Sequence, residues 1–206
     1  MNEHGSSGSL RAFVAIPVPP PLVDALQKLQ TAFRAKLGGN DVRWSRPGQL
    51  HLTLKFLGDV PEAALPRLIE SLKSACAGTA PFRLALEGGG CFPDAGRPRI
   101  IWIGVGGNLE ELRRLHQLVE VAALGFGNHS EEREFQPHLT IGRVTANCRK
   151  PKRIREVIKA AAINGLGEWT AQGIDLMQSE LRPDGAHYSS LATFALVETR
   201  PGADLT

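Results

Sequence analysis

The sequence predicts an α+β fold in which antiparallel sheets are flanked by helices. Three observations favour this class: apolar residues alternate in period two over several segments, they recur at helical spacing over others, and short turns join some strands directly. The short turns disfavour a doubly wound parallel sheet, which needs longer crossovers. The 206 residues suffice for one large domain or two small lobes that share a core.

Strands and amphipathic helices interleave through the first half of the chain. Strands are predicted where polar and apolar residues alternate. Helices are predicted where apolar residues recur at helical spacing, and a glycine marks the end of such a helix. The predicted order is a strand at 11–18, a helix carrying Leu22, Leu26, Leu29 and Phe33 that ends at Gly38-Gly39, a strand at 49–57, a helix carrying Leu65, Leu68, Ile69, Leu72 and Cys76, and strands at 82–87 and 99–105.

The second half continues with a helix whose first residues have the spacing of a capping box, Asn108 and Glu111. A strand at 138–144, a helix beginning near Pro151, and two strands at 171–181 and 187–197 complete the order. The closing strands are joined by a turn-forming RPDG segment. We expect a disordered tail at 1–9, a single domain of two lobes at 10–199, and a C-terminal tail at 200–206.

Composition narrows the classes of function. The chain has a net charge of +3 and a pI near 8.9, which suits a phosphate-bearing substrate but not a protein that coats nucleic acid. No apolar run is long enough to cross a bilayer. The three cysteines form no CxxC pair, so we expect a reduced cytoplasmic protein without a zinc site. No cluster of His, Asp and Glu has metal-ligand spacing, and the sequence predicts no metal and no cofactor.

A four-residue motif occurs twice, as His51-Leu52-Thr53-Leu54 and as His138-Leu139-Thr140-Ile141. A single His-x-Thr would be weak evidence, but two copies in matching strands are much less expected by chance. Because side chains alternate along a strand, each histidine shares a face with its threonine while the aliphatic residues point to the core. We expect the two strands to face one another across a cleft.

This arrangement suits the displacement of a phosphodiester. The attacking and leaving oxygens lie on opposite sides of phosphorus, so a base is needed on one side and an acid on the other. Histidine titrates near neutrality and can perform either task. The hydroxyls of Thr53 and Thr140 can donate to the non-bridging oxygens, where charge develops.

These residues resemble the signatures of the two-histidine (2H) phosphoesterases. HLTLKFLG at 51–58, preceded by Trp44 and Arg46-Pro47, resembles the first signature, and FQPHLTIGR at 135–143 resembles the second. The resemblance is strongest to the RNA 2′,3′-cyclic phosphodiesterases, also described as 2′-5′ RNA ligases. It extends over roughly residues 10–197 through RAFVAIPV, PRIIWIGV and SELRPDGAHYSSLATFAL.

The resemblance implies two pseudo-symmetric lobes with the active-site cleft between them. It implies that His51 donates a proton to the leaving 3′-oxygen, that His138 activates water, and that Thr53, Thr140 and Arg143 bind phosphate. In a regular strand, however, Arg143 faces away from His138, so a twist, a bulge or the end of the strand must turn it inward. Phe13 is a candidate to stack on the terminal base, with a core position as the alternative.

Several alternatives stay open at this point. The enzyme could act on RNA 3′ ends, on small cyclic nucleotides or on 2′-5′ bonds, including reversible ligation, and a non-catalytic module that binds RNA ends is a further possibility. The basic segment 149–156 is either a solvated helix face or an RNA contact through Arg149, Lys150, Lys152 and Arg153, because cations at a helix start oppose the macrodipole. We expect a monomer with no obligatory protein partner and no membrane association.

Overall fold

The computed structural model describes residues 8–38, 40–128, 134–161, 163–183 and 185–198. Its elements are, in chain order, β1 (Ser9–Pro17), α1 (Pro20–Leu37), β2 (Val42–Trp44), β3 (His51–Pro61), α2 (Leu65–Cys76), β4 (Phe82–Phe92), β5 (Ile100–Gly107), α3 (Leu109–Ala122), β6 (His138–Val144), α4 (Pro151–Lys159), β7 (Gly167–Ala171), β8 (Gly173–Arg182) and β9 (Gly185–Ala195). The C-terminal tail predicted at 200–206 and residues 1–7 of the N-terminal tail lie outside the described residues. Ser9, which the sequence analysis assigned to that tail, belongs to β1, where it pairs with Pro61.

The strands form two sheets, and every neighbouring pair is antiparallel. The first sheet has the order β3-β1-β8-β9, and the second has the order β2-β6-β5-β4-β7. The predicted α+β class with antiparallel sheets is therefore confirmed. Strands β2 and β7 were not predicted, because three and five residues are too few to show a clear period of two.

The two sheets are built to the same plan. In each, a strand carrying the His-x-Thr motif lies beside the strand that begins its half of the chain, β3 beside β1 and β6 beside β5. The third place is taken by a strand from the other half, β8 in the first sheet and β4 in the second. This exchange ties the two lobes together, and strand β2 is an addition found beside β6 only.

The helices also pair across the two halves. Helices α2 and α3 contact each other and pack on the first sheet, whereas α1 and α4 contact each other and pack on the second. Their apolar stripes cover the outer faces, so the aliphatic residues of both motifs, Leu52, Leu54, Leu139 and Ile141, are buried. Burying each such side chain contributes about 1.5–3 kcal/mol, which holds both motif strands in place. Among the described residues, no helix is both long and apolar enough to span a bilayer.

Candidate active site

The two motif strands lie next to each other, since β3 and β6 are in contact across the boundary between the sheets. On each strand the histidine and the threonine are half-buried, on the face opposite to the buried aliphatic residues. The alternation expected from the sequence therefore holds over both motifs, and the faces that carry His51 with Thr53 and His138 with Thr140 are turned away from the helices. We call these the cleft faces of the two sheets.

The His51 imidazole is held by aromatic rings of the first sheet. It stacks on Phe13 with ring centroids 4.8 Å apart and meets the edge of Tyr188 at 5.3 Å. Within the described residues no hydrogen bond occupies either ring nitrogen, so packing alone orients the ring. Burial lowers the pKa of His51 from 6.5 to about 4. Without an anion nearby, this imidazole is neutral at pH 7.

The His138 imidazole is oriented by a hydrogen bond as well as by packing. Its Nδ1 lies 2.7 Å from the carbonyl oxygen of Gln136, and a carbonyl can only accept, so Nδ1 carries the proton. Nε2 is then the nitrogen with the free lone pair. The rings of Phe92 and Trp102 lie 5.0 and 6.4 Å from the imidazole. Burial lowers the pKa of His138, and the hydrogen bond to Gln136 partly opposes this effect.

A β-bulge brings Arg143 to the cleft face, as the sequence analysis required. Thr140 pairs with Trp102 and Gly142 pairs with Ile101, so Ile141 is an extra residue without a partner on β5. One extra residue reverses the alternation beyond it. Arg143 consequently pairs with Ile100, shares the face of His138 and Thr140, and is exposed.

The bulge is held by polar groups from outside the sheet. The side-chain amide of Gln30, on α1, donates to the carbonyl of Ile141 at 2.8 Å and to that of Ser45 at 2.9 Å. The Ser45 backbone also donates to Ile141, and its hydroxyl donates to the carbonyl of Thr140 at 2.8 Å. Gln30 is only 6% exposed, which is rare for glutamine. Its burial is explained by the two backbone carbonyls to which its amide donates, those of Ser45 and Ile141.

A bulge at the equivalent position of β3 brings Phe56 to the other cleft face. Thr53 pairs with Ala15 and Lys55 with Val14, which leaves Leu54 as the extra residue. Phe56 then pairs with Phe13, and its ring is 48% exposed. Phe56 and Arg143 each follow their histidine by five positions. Sequence analysis did not single out Phe56, although aligning the two repeats beyond the motif would have matched it to Arg143.

Phe13 lies beside the catalytic candidate and does not present a free ring. It is 2% exposed, and its ring contacts those of His51, Tyr188 and Phe56. The burial of Phe13 favours the core position that the sequence analysis kept as the alternative to stacking on a terminal base, because His51 already occupies the ring. Phe13 instead supports the imidazole from behind.

The hydroxyls of Thr53 and Thr140 complete the cleft faces. Neither makes a side-chain hydrogen bond to another described residue, so both can donate to an incoming oxygen. Among the residues that the structure describes, no group of three or more His, Cys, Asp or Glu could hold a metal ion. The polar groups that the two motifs and the second bulge bring to the cleft faces are thus the imidazoles of His51 and His138, the hydroxyls of Thr53 and Thr140, and the guanidinium of Arg143.

The basic segment after β6 is partly used for structure. Arg153 donates to the carbonyl of Lys36, and Arg155 donates to the carbonyls of Pro93, Asp94 and Gly96. Arg149, Lys150 and Lys152 are exposed on the side of the second sheet that the helices cover. Contact between RNA and these three residues remains a prediction. The fourth residue of that prediction, Arg153, has a structural partner in the carbonyl of Lys36.

A cavity of about 200 Å³ opens beside His51. Ala15, Pro17, Asp175 and Met177 line it from the first sheet, and Pro47 with Gly48 closes one side. The corresponding space in the second lobe is filled: Trp102, which pairs with Thr140 as Ala15 pairs with Thr53, lies over Gly90, where a Cβ would overlap the indole. Of the two sides of the site, as far as the described residues form them, the His51 side therefore has a cavity for a ring-sized group.

Comparison with known proteins explains the internal repeat. A family model described as LigT-like phosphoesterase matches the chain twice in succession, over residues 16–102 and 103–188. The first match contains His51 and the second contains His138. The chain belongs to the LigT-like phosphoesterases. This family assignment confirms the resemblance to 2H phosphoesterases that the two motifs indicated.

Curated relatives of this LigT-like phosphoesterase cover nearly its whole length. A protein of Archaeoglobus fulgidus named RNA 2′,3′-cyclic phosphodiesterase is 33% identical over 186 residues, which span 90% of this chain and 99% of the relative. One of Thermus thermophilus with the same name is 34% identical over 91% of this chain and 90% of the relative. The match is to entire proteins and not to a shared fragment.

Solved structures of the family share the two-lobed fold. A crystal structure of a Thermus thermophilus protein superposes with a TM-score of 0.74, at 31% identity, and covers 91% of this chain and 98% of its own. The structure of E. coli LigT complexed with 3′-AMP superposes with a TM-score of 0.72 over 92% of this chain and 99% of its own, at 22% identity. The second comparison supports the fold alone.

Proposed function

We propose that this phosphoesterase opens the 2′,3′-cyclic phosphate at the 3′ end of RNA by general acid–base catalysis with two histidines, leaving a 2′-phosphate and a free 3′-hydroxyl. The observation that carries the proposal is the repeated strand: β3 and β6 are in contact, and each presents an imidazole and a hydroxyl on its cleft face. The names of the relatives support the substrate class. Hydrolysis of this ester needs one base and one acid, which the pair can supply.

The environment of His138 supports its role as proton acceptor. With Nδ1–H donating to the Gln136 carbonyl, the Nε2 lone pair is fixed in one direction and can take a proton from water. Burial lowers the pKa of His138, so the ring is neutral before water attacks. The hydrogen bond to Gln136 strengthens as the ring becomes positive, because a charged donor binds a carbonyl more strongly. It therefore supports the imidazolium that forms.

The environment of His51 suits a proton donor that is charged only when substrate is bound. In the free protein burial holds its pKa near 4, so few molecules carry the proton at pH 7. A phosphate anion next to a buried imidazole favours the protonated form and raises this pKa. Protonated His51 then gives its proton to the 3′-oxygen as the bond from phosphorus to that oxygen breaks. His138 ends the step protonated, and exchange with solvent restores both rings.

The difference in available space supports one orientation of the substrate. The nucleoside is the bulky part, and the cavity beside His51 accommodates it, whereas Trp102 and Phe92 restrict the side of His138 to smaller groups such as water. A ribose held on the His51 side keeps the leaving 3′-oxygen beside the donor. Water then attacks in line from the His138 side.

The remaining cleft residues act on the charge of the phosphate. Thr53 and Thr140 donate to its non-bridging oxygens, one from each lobe, and the Arg143 guanidinium adds a positive charge on the side of the acceptor. Donors of this kind, fixed before the reaction, stabilise the transition state more than the ground state. No step in this scheme requires a metal ion.

The test is to map the product of a short oligoribonucleotide that ends in a 2′,3′-cyclic phosphate. We expect a terminal 2′-phosphate by phosphorus NMR, resistant to a 3′-specific phosphatase, with turnover unchanged after exhaustive chelation. The double variant His51→Ala with His138→Ala is the control for contaminating nucleases. A dominant 3′-phosphate would exchange the roles of the histidines, and a joined 2′-5′ product would indicate ligation. Loss of activity that one particular metal restores would contradict the scheme.

A further inference from the structure

Arg43 lies on the cleft face directly opposite Arg143. In the short antiparallel ladder between β2 and β6, Val42 pairs with Val144, Arg43 with Arg143, and Trp44 with Gly142. Residues directly opposite in such a ladder point to the same face, with their Cα atoms about 5 Å apart. Because the bulge turns Arg143 to the cleft, its partner Arg43 is turned to the cleft as well.

The neighbours of Arg43 give the same orientation independently. A Cβ added to Gly142 would lie 2.9 Å from the Val42 side chain and 3.2 Å from the Trp44 ring, so both side chains lie on the face of Gly142 that is turned to the helices. The Trp44 ring also stacks with Phe33 of α1, at 6.2 Å. Side chains alternate along β2, and Arg43 therefore points the other way, where it is exposed.

The two guanidiniums form a pair of like charges. Like charges directly opposite each other destabilise a strand pair. Over the part of the chain that the structure describes, neither Arg43 nor Arg143 has a carboxylate within ion-pair distance. An anionic ligand would relieve this repulsion, and two arginines can bind either a single phosphate or two neighbouring phosphates.

The position of Arg43 along the chain indicates which phosphate that is. Strand β2 runs directly into the turn at Pro47–Gln49, and Pro47 with Gly48 closes the cavity beside His51 in which the terminal nucleoside is proposed to sit. Arg43 thus lies opposite Arg143 and four residues before Pro47, the first residue of the turn that lines this cavity. The chain of an RNA leaves the terminal nucleoside through its 5′ phosphate, and this placement makes Arg43 a candidate to bind that group.

We infer that Arg43 binds the phosphodiester on the 5′ side of the terminal nucleotide, so that the site prefers oligoribonucleotides to cyclic mononucleotides. The inference rests on the proposed function, since it assumes that the cyclic phosphate lies between His51 and His138. Arg143 serves the cyclic phosphate and Arg43 serves the next phosphate along the chain. A cyclic mononucleotide lacks the second group and gains nothing from Arg43.

The experiment compares KM for a 2′,3′-cyclic mononucleotide with KM for a short oligoribonucleotide that has the same terminal base and a cyclic end. Arg43→Gln should raise the ratio of oligonucleotide KM to mononucleotide KM roughly 10-fold, the size of one charge-assisted hydrogen bond. It should also lower the slope of log KM against log salt concentration for the oligonucleotide by about 0.7, the value expected for the loss of one phosphate contact on a single strand. Arg43→Lys should keep most of that slope.

The matched control is Arg113→Gln, which removes an exposed arginine from α3 on the side away from the cleft and should leave the ratio unchanged. An unchanged ratio in Arg43→Gln, with wild-type protein active on both substrates, would overturn this inference alone and assign Arg43 to protecting the exposed edge of β2. If the wild-type protein opens neither substrate, the proposed function and this inference fail together. Equal losses on both substrates would place Arg43 at the cyclic phosphate and also overturn the inference.

Discussion

The two lobes repeat one plan and differ where the substrate must be asymmetric. Each carries a histidine, a threonine two residues later, and a bulge that turns the residue at the fifth position after the histidine into the cleft. That residue is Phe56 in the first lobe and Arg143 in the second. The space beside the threonine is a cavity in the first lobe and is filled by Trp102 in the second. Under the proposed function, the repeated parts serve the chemistry and the differences orient the nucleotide.

The lobes also differ in how they hold the bulge. In the first lobe Lys55, beside the extra residue Leu54, makes a 2.5 Å ion pair with Glu120 of α3. In the second lobe the matching position is Gly142, and Gln30 of α1 donates to the carbonyl of the extra residue, Ile141. Because the Gln30 amide is neutral, Arg143 is the charged side chain that the second lobe has at its bulge. Four predictions test this comparison, in order of decreasing effect.

The largest effect is expected from removing either imidazole. His51→Ala and His138→Ala should each lower kcat by about 10²–10⁴-fold without loss of the fold, because each removes one proton transfer. The pH dependence of kcat should distinguish the two lobes. His51→Ala, which loses the donor, should lack the alkaline limb, and His138→Ala, which loses the acceptor, should lack the acidic limb. Steady-state kinetics from pH 5 to 9, with circular dichroism for folding, measure both. Near-normal kcat in a folded variant would remove that histidine from the mechanism.

The second prediction concerns stability in acid. The folded-state pKa of His51 is about 4, below its usual 6.5, so its contribution to stability is complete above pH 6.5 and is lost as the pH falls towards 4. The loss for this group amounts to roughly 3 kcal/mol of the free energy of unfolding. Urea unfolding of wild type and His51→Leu at pH 7 and pH 4 measures it, and the variant should lack this part of the decline.

His138→Leu provides the comparison with the other lobe. Its pKa is lowered by burial and supported by the hydrogen bond to Gln136, so its share of the acid decline should be smaller. An acid decline as steep in His51→Leu as in wild type would show that the His51 ring is not desolvated in solution.

The third prediction separates the two equivalent cleft residues. Arg143→Gln should lower kcat/KM about 10–100-fold, because a charge-assisted hydrogen bond contributes about 1.5–3 kcal/mol. Phe56→Leu should lower it less, since no charge is lost. Both variants are compared on the cyclic mononucleotide, which reports on the cyclic phosphate alone. Equal losses of kcat/KM would mean that Phe56 and Arg143 contribute equally to binding the cyclic phosphate, and that the difference between these two residues does not orient the substrate.

The smallest effect is expected from the amide that holds the bulge. Gln30→Leu takes the side-chain donor from the Ser45 carbonyl and removes one of the two donors to the Ile141 carbonyl, which should cost about 1–3 kcal/mol of stability. It should also reduce kcat/KM by loosening Arg143. A positioning role predicts that adding Gln30→Leu to Arg143→Gln causes little further loss of kcat/KM, because the two act through one contact. Fully additive losses of kcat/KM would make Gln30 structural only. Lys55→Met is the matched change at the other bulge and should leave the effect of Arg143→Gln intact.

Much of the fold could be predicted because its signals are local. The helices α1, α2, α3 and α4 carry clear apolar stripes, and the strand containing His138 was predicted with the bounds that the structure has. Strand β4 continues to Phe92, five residues beyond its predicted end, through glycines that carry no pattern. Those glycines let the chain pass under the Trp102 ring, which is a tertiary requirement.

The class of fold, the two catalytic candidates and the chemistry open to them could be predicted from the sequence, because a period of two and a repeated motif are properties of the chain alone. The directions in which Arg143, Phe56 and Arg43 point could not be predicted in this way, because they depend on how the strands pair. A single extra residue in a strand reverses every side chain beyond it, and whether a bulge forms depends on partners far along the chain, such as Gln30 for Ile141. The burial of Phe13 under His51 depends on the same long-range packing, and no local pattern encodes it.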